Sequence, residues 1–249
     1  MTKAATASQP AVPVPAAPTA PARARVARAG SARASDRGGR TREQILRATL
    51  EIIAAHGLSG VSHRAIAAKA DVRLSLTSYH FGSLEDLLEA AFDAYHAHTE
   101  LRRTELVARV DQQMGQLPTQ LTPAVLTAIA DTMSDTLAAY IHAGVREHRT
   151  DLAVECSFLF AWNLSPTLRH KVDQHSKGLV QLAARVFARL DSRAPEVDSA
   201  VLLATIRQLE FTQVSTGVVS PVADIKLSLF RLLLGLLLAR DTMPPAAPV

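Results

Sequence analysis

The sequence predicts an all-α protein of about nine helices. From residue 41 onwards apolar residues recur at helical spacing, and no stretch shows the sustained alternation with turn glycines that is typical of strands. Ser-Pro and Thr-Pro pairs, which suit the first residues of a helix, occur at Thr122, Ser165 and Ser220. A length of 249 residues, 48% of them hydrophobic, is sufficient for a large buried core.

The first 40 residues differ in composition from the rest. They are rich in Ala, Pro, Arg and Ser, and seven basic residues against one acidic residue give them a net charge of +6. The segment has few large apolar side chains, and burying them could not offset the conformational entropy lost on folding. We therefore expect residues 1–40 to be a disordered tail. The tail is expected either to meet a polyanion or simply to be solvated, and an organelle transit peptide is a further alternative.

A first helix is expected to begin at Thr41, where Thr41 and Gln44 have the spacing of a capping box. Gly57 is placed to end it. Its apolar face consists of Ile45, Ala48, Ile52 and Ile53.

Two shorter helices are expected to follow, one capped by Ser62 and one from Leu74 to His80, with a break at Asp71-Val72. Three helices of these lengths with a short middle connection indicate a helix-turn-helix seated on a supporting helix. The third is rich in hydroxyl groups, which donate to phosphates and to base edges. Taken alone, an ordinary surface helix would explain the same composition.

A long amphipathic helix is expected from the capping box of Ser83 and Asp86 to about Gln113. Helices are then expected near 122–143, 148–164, 166–191, 196–215 and 221–240. We therefore divide the chain into the tail, a helix-turn-helix domain at 41–82, a helical domain at 83–241, and a flexible C-terminus at 242–249.

The helix at 221–240 is apolar almost all round. A terminal helix buries that much surface by packing against a second subunit as well as its own, so we expect a homodimer through 221–240. Burial within one subunit alone is the alternative.

Aromatic side chains cluster around residues 158–162, beside an amide and a thiol. Because ligand pockets combine an apolar wall with a few polar groups, this cluster predicts an effector pocket, and plain core packing is the alternative. The residues assigned to it are Phe92, Tyr95, Met133, Tyr140, Phe158, Trp162 and Asn163.

Several functional classes are not expected. Cys156 is the single cysteine, and the histidines lack metal-ligand spacing, so we expect neither a disulfide nor a metal or other cofactor. No phosphate-binding glycine loop, nucleophile elbow or carboxylate pair indicates an enzyme. There is no run of about 18 apolar residues and no secretory segment, so we expect no membrane association and a cytoplasmic location.

Residues 41–88 resemble the DNA-binding domain of the TetR family of bacterial transcriptional regulators. The matching stretches are Thr41 to Leu50, Ser62 to Val72, and Tyr-His-Phe-Gly-Ser-Leu-Glu-Asp-Leu-Leu from Tyr79 to Leu88. The sequence departs from the family at Asp71, where glycine is frequent, and at Leu84, where a phosphate-binding lysine is common.

The resemblance implies a dimeric, ligand-responsive repressor at the bacterial nucleoid, which binds palindromic half-sites of a double-stranded operator and is released by a small effector. It implies that 41–82 is the DNA-binding domain, that 83–241 is the effector-binding and dimerisation domain, and that the homodimer forms through 196–215 and 221–240. The aromatic cluster predicts an apolar or aromatic effector. The DNA-contacting positions that the resemblance implies are Ser62, Arg64, Lys69, Arg73, Leu74, Ser75, Thr77, Ser78, Tyr79 and His80. A non-specific architectural or adaptor protein and, less favoured, a helical-bundle enzyme are the competing functions.

Overall fold

The structure, a computed structural model, describes residues 22–115 and 117–240, with side chains from residue 38 onwards. The first 21 residues of the expected tail and the expected flexible C-terminus at 242–249 lie outside the described residues. By its internal contacts the chain divides after Thr41, and the residues from Arg42 onwards form one compact unit.

The described residues form nine α-helices, which confirms the predicted fold class. Their bounds are α1 Ala22–His56, α2 His63–Lys69, α3 Leu74–His80, α4 Leu84–Met114, α5 Pro123–Glu147, α6 Arg149–Leu159, α7 Pro166–Arg189, α8 Pro195–Thr216 and α9 Val222–Leu238. A short 3-10 helix, Leu58–Gly60, follows α1. None of the described helices combines the length and apolar character needed to cross a bilayer.

The first helix begins earlier than the sequence pattern predicts. It starts at Ala22, so Thr41 lies within it and is not its N-cap. The residues between Ala22 and Thr41 include no proline and many Ala and Arg, which favour helix and allow it to continue upstream.

Most of the predicted helix caps are present. The hydroxyl of Ser62 accepts a hydrogen bond from the amide of Ala65, and Ser83 and Asp86 form the complete capping box. Thr122 and Ser165 also cap the helices that follow them. The prediction for Ser220 is wrong: Pro221 is the N-cap of α9 and provides no side-chain hydrogen bond.

Two positions have left-handed backbone next to the short helices. Gly57, with a φ of 67°, ends α1 as predicted. Asp71 adopts a φ of 52° in the turn between α2 and α3. A side chain at such a φ is strained, although aspartate tolerates it better than most residues.

One core cluster packs the N-terminal helices α1 and α2 against α4, α6 and α7. Its members come from α1, α2, α4, α6 and α7 and include Ile45, Ile53, Ile66, Phe92, Phe158 and Leu168. A second cluster lies around α5, which packs along α9 through Ile225, Leu229, Leu233 and Leu237. These four residues repeat every fourth position, so a single face of α9 is buried within the subunit.

Candidate DNA-binding surface and effector cavity

Helices α2 and α3 form the surface that the resemblance assigns to DNA. Ser62 begins α2 with a hydroxyl that accepts at 3.1 Å from the amide of Ala65. Ile66 and Ala67 bury one side of α2, while Arg64 stays exposed on the other. The inward face thus anchors the helix and leaves a cationic side chain on the outside.

Most of α3 is exposed. Arg73, Ser75 and Ser78 lie on the surface, and Leu74 and Tyr79 have exposed fractions of 52% and 80%. His80 is half-buried, with its ring edge-to-face against that of Tyr79 at 5.2 Å between centroids. Arg73, Ser75, Ser78, Tyr79 and His80 therefore present side-chain hydrogen-bond donors at or near the surface of this short helix.

Thr77 does not share that exposed surface. Its side chain is fully buried, and its hydroxyl donates to the carbonyl of Leu74 at 2.7 Å and lies 3.1 Å from Nδ1 of His63. The side chain of Thr77 therefore has no accessible atom for the DNA contact that the resemblance implies. The residue instead packs α3 against α2.

Lys69 is exposed at the end of α2 but already has a partner. Its ammonium group lies 2.9 Å from a carboxylate oxygen of Glu51 on α1. Because the nearby carboxylate offsets its charge, Lys69 should attract a phosphate less strongly than Arg64 or Arg73 does.

The link from α3 to α4 is short and well defined. Only Phe81 and Gly82 separate His80 from the N-cap Ser83. The amide of Phe81 donates to the carbonyl of Thr77, and its buried ring lies under the guanidinium of Arg42. Both ends of the connection are therefore held, so α3 and α4 are expected to move together.

A cavity of about 420 Å³ lies among α4, α5, α6, α7 and α8. Its wall is mostly apolar, and the apolar lining includes Leu106, Val107, Val110, Met133, Leu137, Val186, Leu202 and Ile206. The polar lining includes Tyr95, Arg102, Arg103, Glu155, Arg207 and Glu210. An apolar wall with few polar groups is the composition of a small-molecule site.

The polar groups of the cavity interact with one another. The hydroxyl of Tyr95 donates to Glu155 at 2.6 Å, and burial raises the pKa of Tyr95 well above its usual value. Arg102 lies over the ring of Tyr140 at 4.8 Å, and its buried Nη1 has no hydrogen-bond partner. Burial, with the nearby charge of Glu155, raises the pKa of Glu210 to about 8.

The structure separates the residues that were assigned to one effector pocket. Tyr95, Met133 and Tyr140 line the cavity. Phe92 and Phe158 are buried against each other, with ring centroids 5.1 Å apart, and line no cavity described here.

Trp162 and Asn163 lie in a separate cleft of about 830 Å³. Helix α6 ends at Leu159 and does not reach 164 as predicted, so Trp162 leaves the helical face and is 91% exposed. Its placement in the same pocket as Tyr95 is therefore wrong.

The charged residues of the cavity were missed by sequence reasoning, although helical spacing contained a signal. Tyr95, Thr99, Arg102 and Leu106 all line the cavity at intervals of three or four residues on α4. Glu210 follows Leu202 and Ile206 in the same way on α8. A charged residue spaced three or four positions from buried apolar residues of the same helix is therefore the sequence signal for these cavity residues.

Metal-ligand clusters are absent from the residues that the structure describes: no group of three or more His, Cys, Asp or Glu side chains is close enough to hold an ion.

The sequence and the fold were compared with known proteins. Residues 45–91 match the family described as bacterial regulatory proteins, tetR family. No curated protein matches the chain. Regulators of this family bind DNA operators, usually as dimers, and are typically not enzymes.

Solved structures have a similar fold. A member of the TetR family from Streptomyces coelicolor A3 is 26% identical, with a TM-score of 0.53 over 77% of this chain and 97% of that one. The multidrug binding protein EbrR, complexed with imidazole, is 26% identical, with a TM-score of 0.50 over 77% and 93%. A transcriptional regulator from Rhodococcus sp. Rha1 has 18% identity and a TM-score of 0.57 over 82% and 99%.

The matched segment covers α2, α3 and the capping box of α4, which are the elements that build the exposed surface described above. Over residues 45–91 this chain is similar to the bacterial regulatory proteins of the TetR family, and this match supports a DNA-binding transcriptional regulator.

Proposed function

We propose that this chain is a dimeric repressor and not an enzyme. Helix α3 reads a palindromic operator in double-stranded DNA at the nucleoid of the bacterial cytoplasm. A small apolar or aromatic effector in the 420 Å³ cavity releases the repressor from its operator.

The course of α4 is the observation that carries this proposal. Three residues separate the end of α3 from Leu84, the first residue of α4, and the helix then continues without a break to Met114. On the way it contributes Tyr95, Arg102 and Leu106 to the cavity wall. A ligand that pushes these side chains outward together would displace α4, and α3 is joined to α4 by the short connection at Phe81 and Gly82.

The DNA-binding role of α3 rests on its exposure. In this proposal Arg73, Ser75 and Ser78 reach base edges, while Tyr79 and His80 hold phosphates together with Ser62 and Arg64 of α2. Recovery of genomic fragments bound by the full chain identifies the operator. We expect a preference of at least about 10³-fold over random DNA, and equal binding to both would indicate an architectural protein instead.

The effector role rests on the composition of the cavity and on the similarity to EbrR, which is named a multidrug binding protein. Linkage requires effector and operator to weaken each other by the same factor, typically about 5–150-fold. Calorimetric titration of an effector with and without operator DNA measures that factor. Equal effector affinities in the two titrations would contradict release by the effector and leave the DNA-binding assignment intact.

The dimer is proposed to form through the outward faces of α8 and α9. Large apolar side chains remain exposed there, among them Val201, Phe211, Leu227 and Leu238, with Leu227 at 58%. The opposite face of α9 is already buried on α5, so a second copy of this chain would cover the apolar side chains that remain exposed. A dimer would also carry two copies of α3, which must lie about 34–36 Å apart to enter successive major grooves.

The oligomeric state in solution tests the dimer. Leu227→Glu places a charge in the proposed interface and is expected to convert the dimer to a monomer in light scattering. Leu101→Glu is the matched control, because Leu101 on α4 is 70% exposed and lies outside that surface. A dimer that survives Leu227→Glu as well as Leu101→Glu would exclude this interface.

A further inference from the structure

One end of the cavity contains a cation whose hydrogen-bonding capacity the folded protein does not use. Nη1 of Arg102 is buried and has no hydrogen-bond partner among the described residues. A buried N–H of a charged group that has lost water without gaining an acceptor is unfavourable. The ring of Tyr140, 4.8 Å from the guanidinium carbon, stabilises the charge but provides no lone pair along the N–H bonds.

Arg102 packs closely against α5. A Cβ atom added to Gly144 of α5 would lie 2.7 Å from Nη1, so the guanidinium occupies space that exists because residue 144 has no side chain. The guanidinium thus lies between a glycine and an aromatic face, and the Arg102 side chain lines the cavity. A guanidinium is well suited to recognise a carboxylate.

The acidic residues at the same end do not cancel this charge. Glu155 accepts the hydrogen bond of Tyr95 at 2.6 Å. The pKa of Glu210, raised to about 8 chiefly by burial, keeps most of that side chain protonated at neutral pH. Arg103 is paired with Glu100 at 2.7 Å, and Arg207 donates to the neutral hydroxyl of Ser176. The polar end therefore has more positive than negative charge.

We propose that the effector is an amphipathic anion whose carboxylate binds Arg102 and whose apolar portion lies along Leu106, Leu137 and the neighbouring wall. This inference rests on the proposed effector role of the cavity and specifies the chemical class of its ligand. The rest of the lining is mostly apolar but includes Asp111, Arg185 and Arg189, of which Asp111 and Arg189 lie 3.9 Å apart. Basic side chains therefore outnumber acidic ones in the whole lining. A single anionic head on an aliphatic body is the complementary shape and charge.

Three probes that differ in the head group test the proposal. Octanoate, octan-1-ol and octylamine share a chain length, and their binding to the full-length protein is measured by calorimetry at neutral pH. We expect octanoate to bind about 10- to 100-fold more tightly than either of the others. Equal affinities, tighter binding of octylamine, or no binding of any of the three would overturn the proposal.

Variants then assign the preference to the arginine. Arg102→Met is expected to remove the octanoate preference while octan-1-ol binds as before, and Arg109→Met, which changes an exposed arginine of the same helix, is expected to keep it. Gly144→Ala keeps the charge of Arg102 but displaces its guanidinium, so it should weaken the binding of octanoate and leave that of octan-1-ol unchanged. If Arg102→Met does not fold, Gly144→Ala provides the test. An unchanged preference in Gly144→Ala and in any folded Arg102→Met would overturn the assignment.

The same experiment separates this proposal from the one on which it rests. If octanoate binds through Arg102 but leaves operator affinity unchanged, the release mechanism fails and the anion site stands. If an uncharged compound releases the operator and Arg102→Met makes no difference, the effector role stands and the anion site fails.

Discussion

The hydroxyl of Tyr95 on α4 donates a 2.6 Å hydrogen bond to the carboxylate of Glu155 on α6. This bond lies at the polar end of the cavity and connects the helix that follows α3 to a helix of the C-terminal half. Tyr95 is almost completely buried and packs near Phe92, so the bond is shielded from water. A ligand that takes either partner would release one restraint on α4.

Tyr95→Phe removes this hydrogen bond and little else. Because the acceptor is a carboxylate, we expect the free energy of unfolding to fall by about 1.5–3 kcal/mol in urea denaturation. Tyr79→Phe is the control, since Tyr79 is 80% exposed and should leave stability unchanged. A similar loss of unfolding free energy in both variants would show that the Tyr95–Glu155 hydrogen bond does not stabilise the fold.

Contacts with DNA divide into those that hold phosphate and those that read bases. Tyr79→Phe and His80→Ala should weaken binding to all sequences alike, by about 1–2 kcal/mol each. Arg73→Ala should instead change the preference among operator variants. Competition with single-base variants of the operator measures both effects, and a specificity change in Tyr79→Phe with none in Arg73→Ala would reverse the assignment.

Thr77→Ala is expected to act on folding and not on base preference. The variant loses the buried hydroxyl that donates to Leu74 and contacts His63, so the free energy of unfolding should fall by about 1–2 kcal/mol. Ser78→Ala changes the exposed neighbour and should leave stability unchanged. Altered base preference with unchanged stability in Thr77→Ala would show that this side chain reaches the DNA.

Asp71 is strained by its φ of 52°, so glycine there should relieve the turn between α2 and α3. Asp71→Val should lower the free energy of unfolding by about 1–2 kcal/mol, while Asp71→Gly should leave it equal or higher. Asp173→Gly, in the middle of α7, should cost about 1 kcal/mol and is the control for glycine in ordinary helix. The same loss at both glycine substitutions would contradict strain at Asp71.

Stability should depend on pH through Glu210. The pKa of its buried carboxyl is about 8 in the fold against an ordinary 4.5, so the folded protein holds a proton that the unfolded chain releases. The free energy of unfolding should therefore fall as pH rises towards 8. Burial lowers the pKa of His175 to about 4, which gives the opposite slope below its ordinary 6.5. Urea denaturation between pH 6.5 and 8 isolates Glu210, and Glu210→Gln should flatten the slope.

The charges that face Glu210 are those of Glu155 on α6, Arg102 on α4 and Arg207 on its own helix. A slope that persists in Glu210→Gln would assign the pH dependence to another group.

Features that depend on a few neighbouring residues could be predicted from the sequence. The caps at Ser62 and Ser83, the glycine that ends α1 and the Tyr-His-Phe stretch act within one or two turns of helix. Their hydrogen bonds form between residues three or four positions apart, so the local order of residue types is sufficient to specify them.

Which side of a helix faces inward is decided by packing between distant segments. Helical periodicity groups Thr77 with Arg73 and His80, but the position of α2 buries Thr77 and leaves Arg73 exposed. Trp162 belongs to the same apolar stretch as Phe158, yet α6 ends between them and only Phe158 enters the core.

The sequence by itself determined the all-α fold class, most of the helix caps and the resemblance to a DNA-binding motif, because these depend on local hydrogen bonds and on a short contiguous stretch. Only the tertiary structure brought Arg102, Glu155 and Glu210 from three helices to one end of a cavity. The burial that leaves Arg102 without an acceptor and raises the pKa of Glu210 arises from packing between residues far apart in the chain, and no local pattern specifies it.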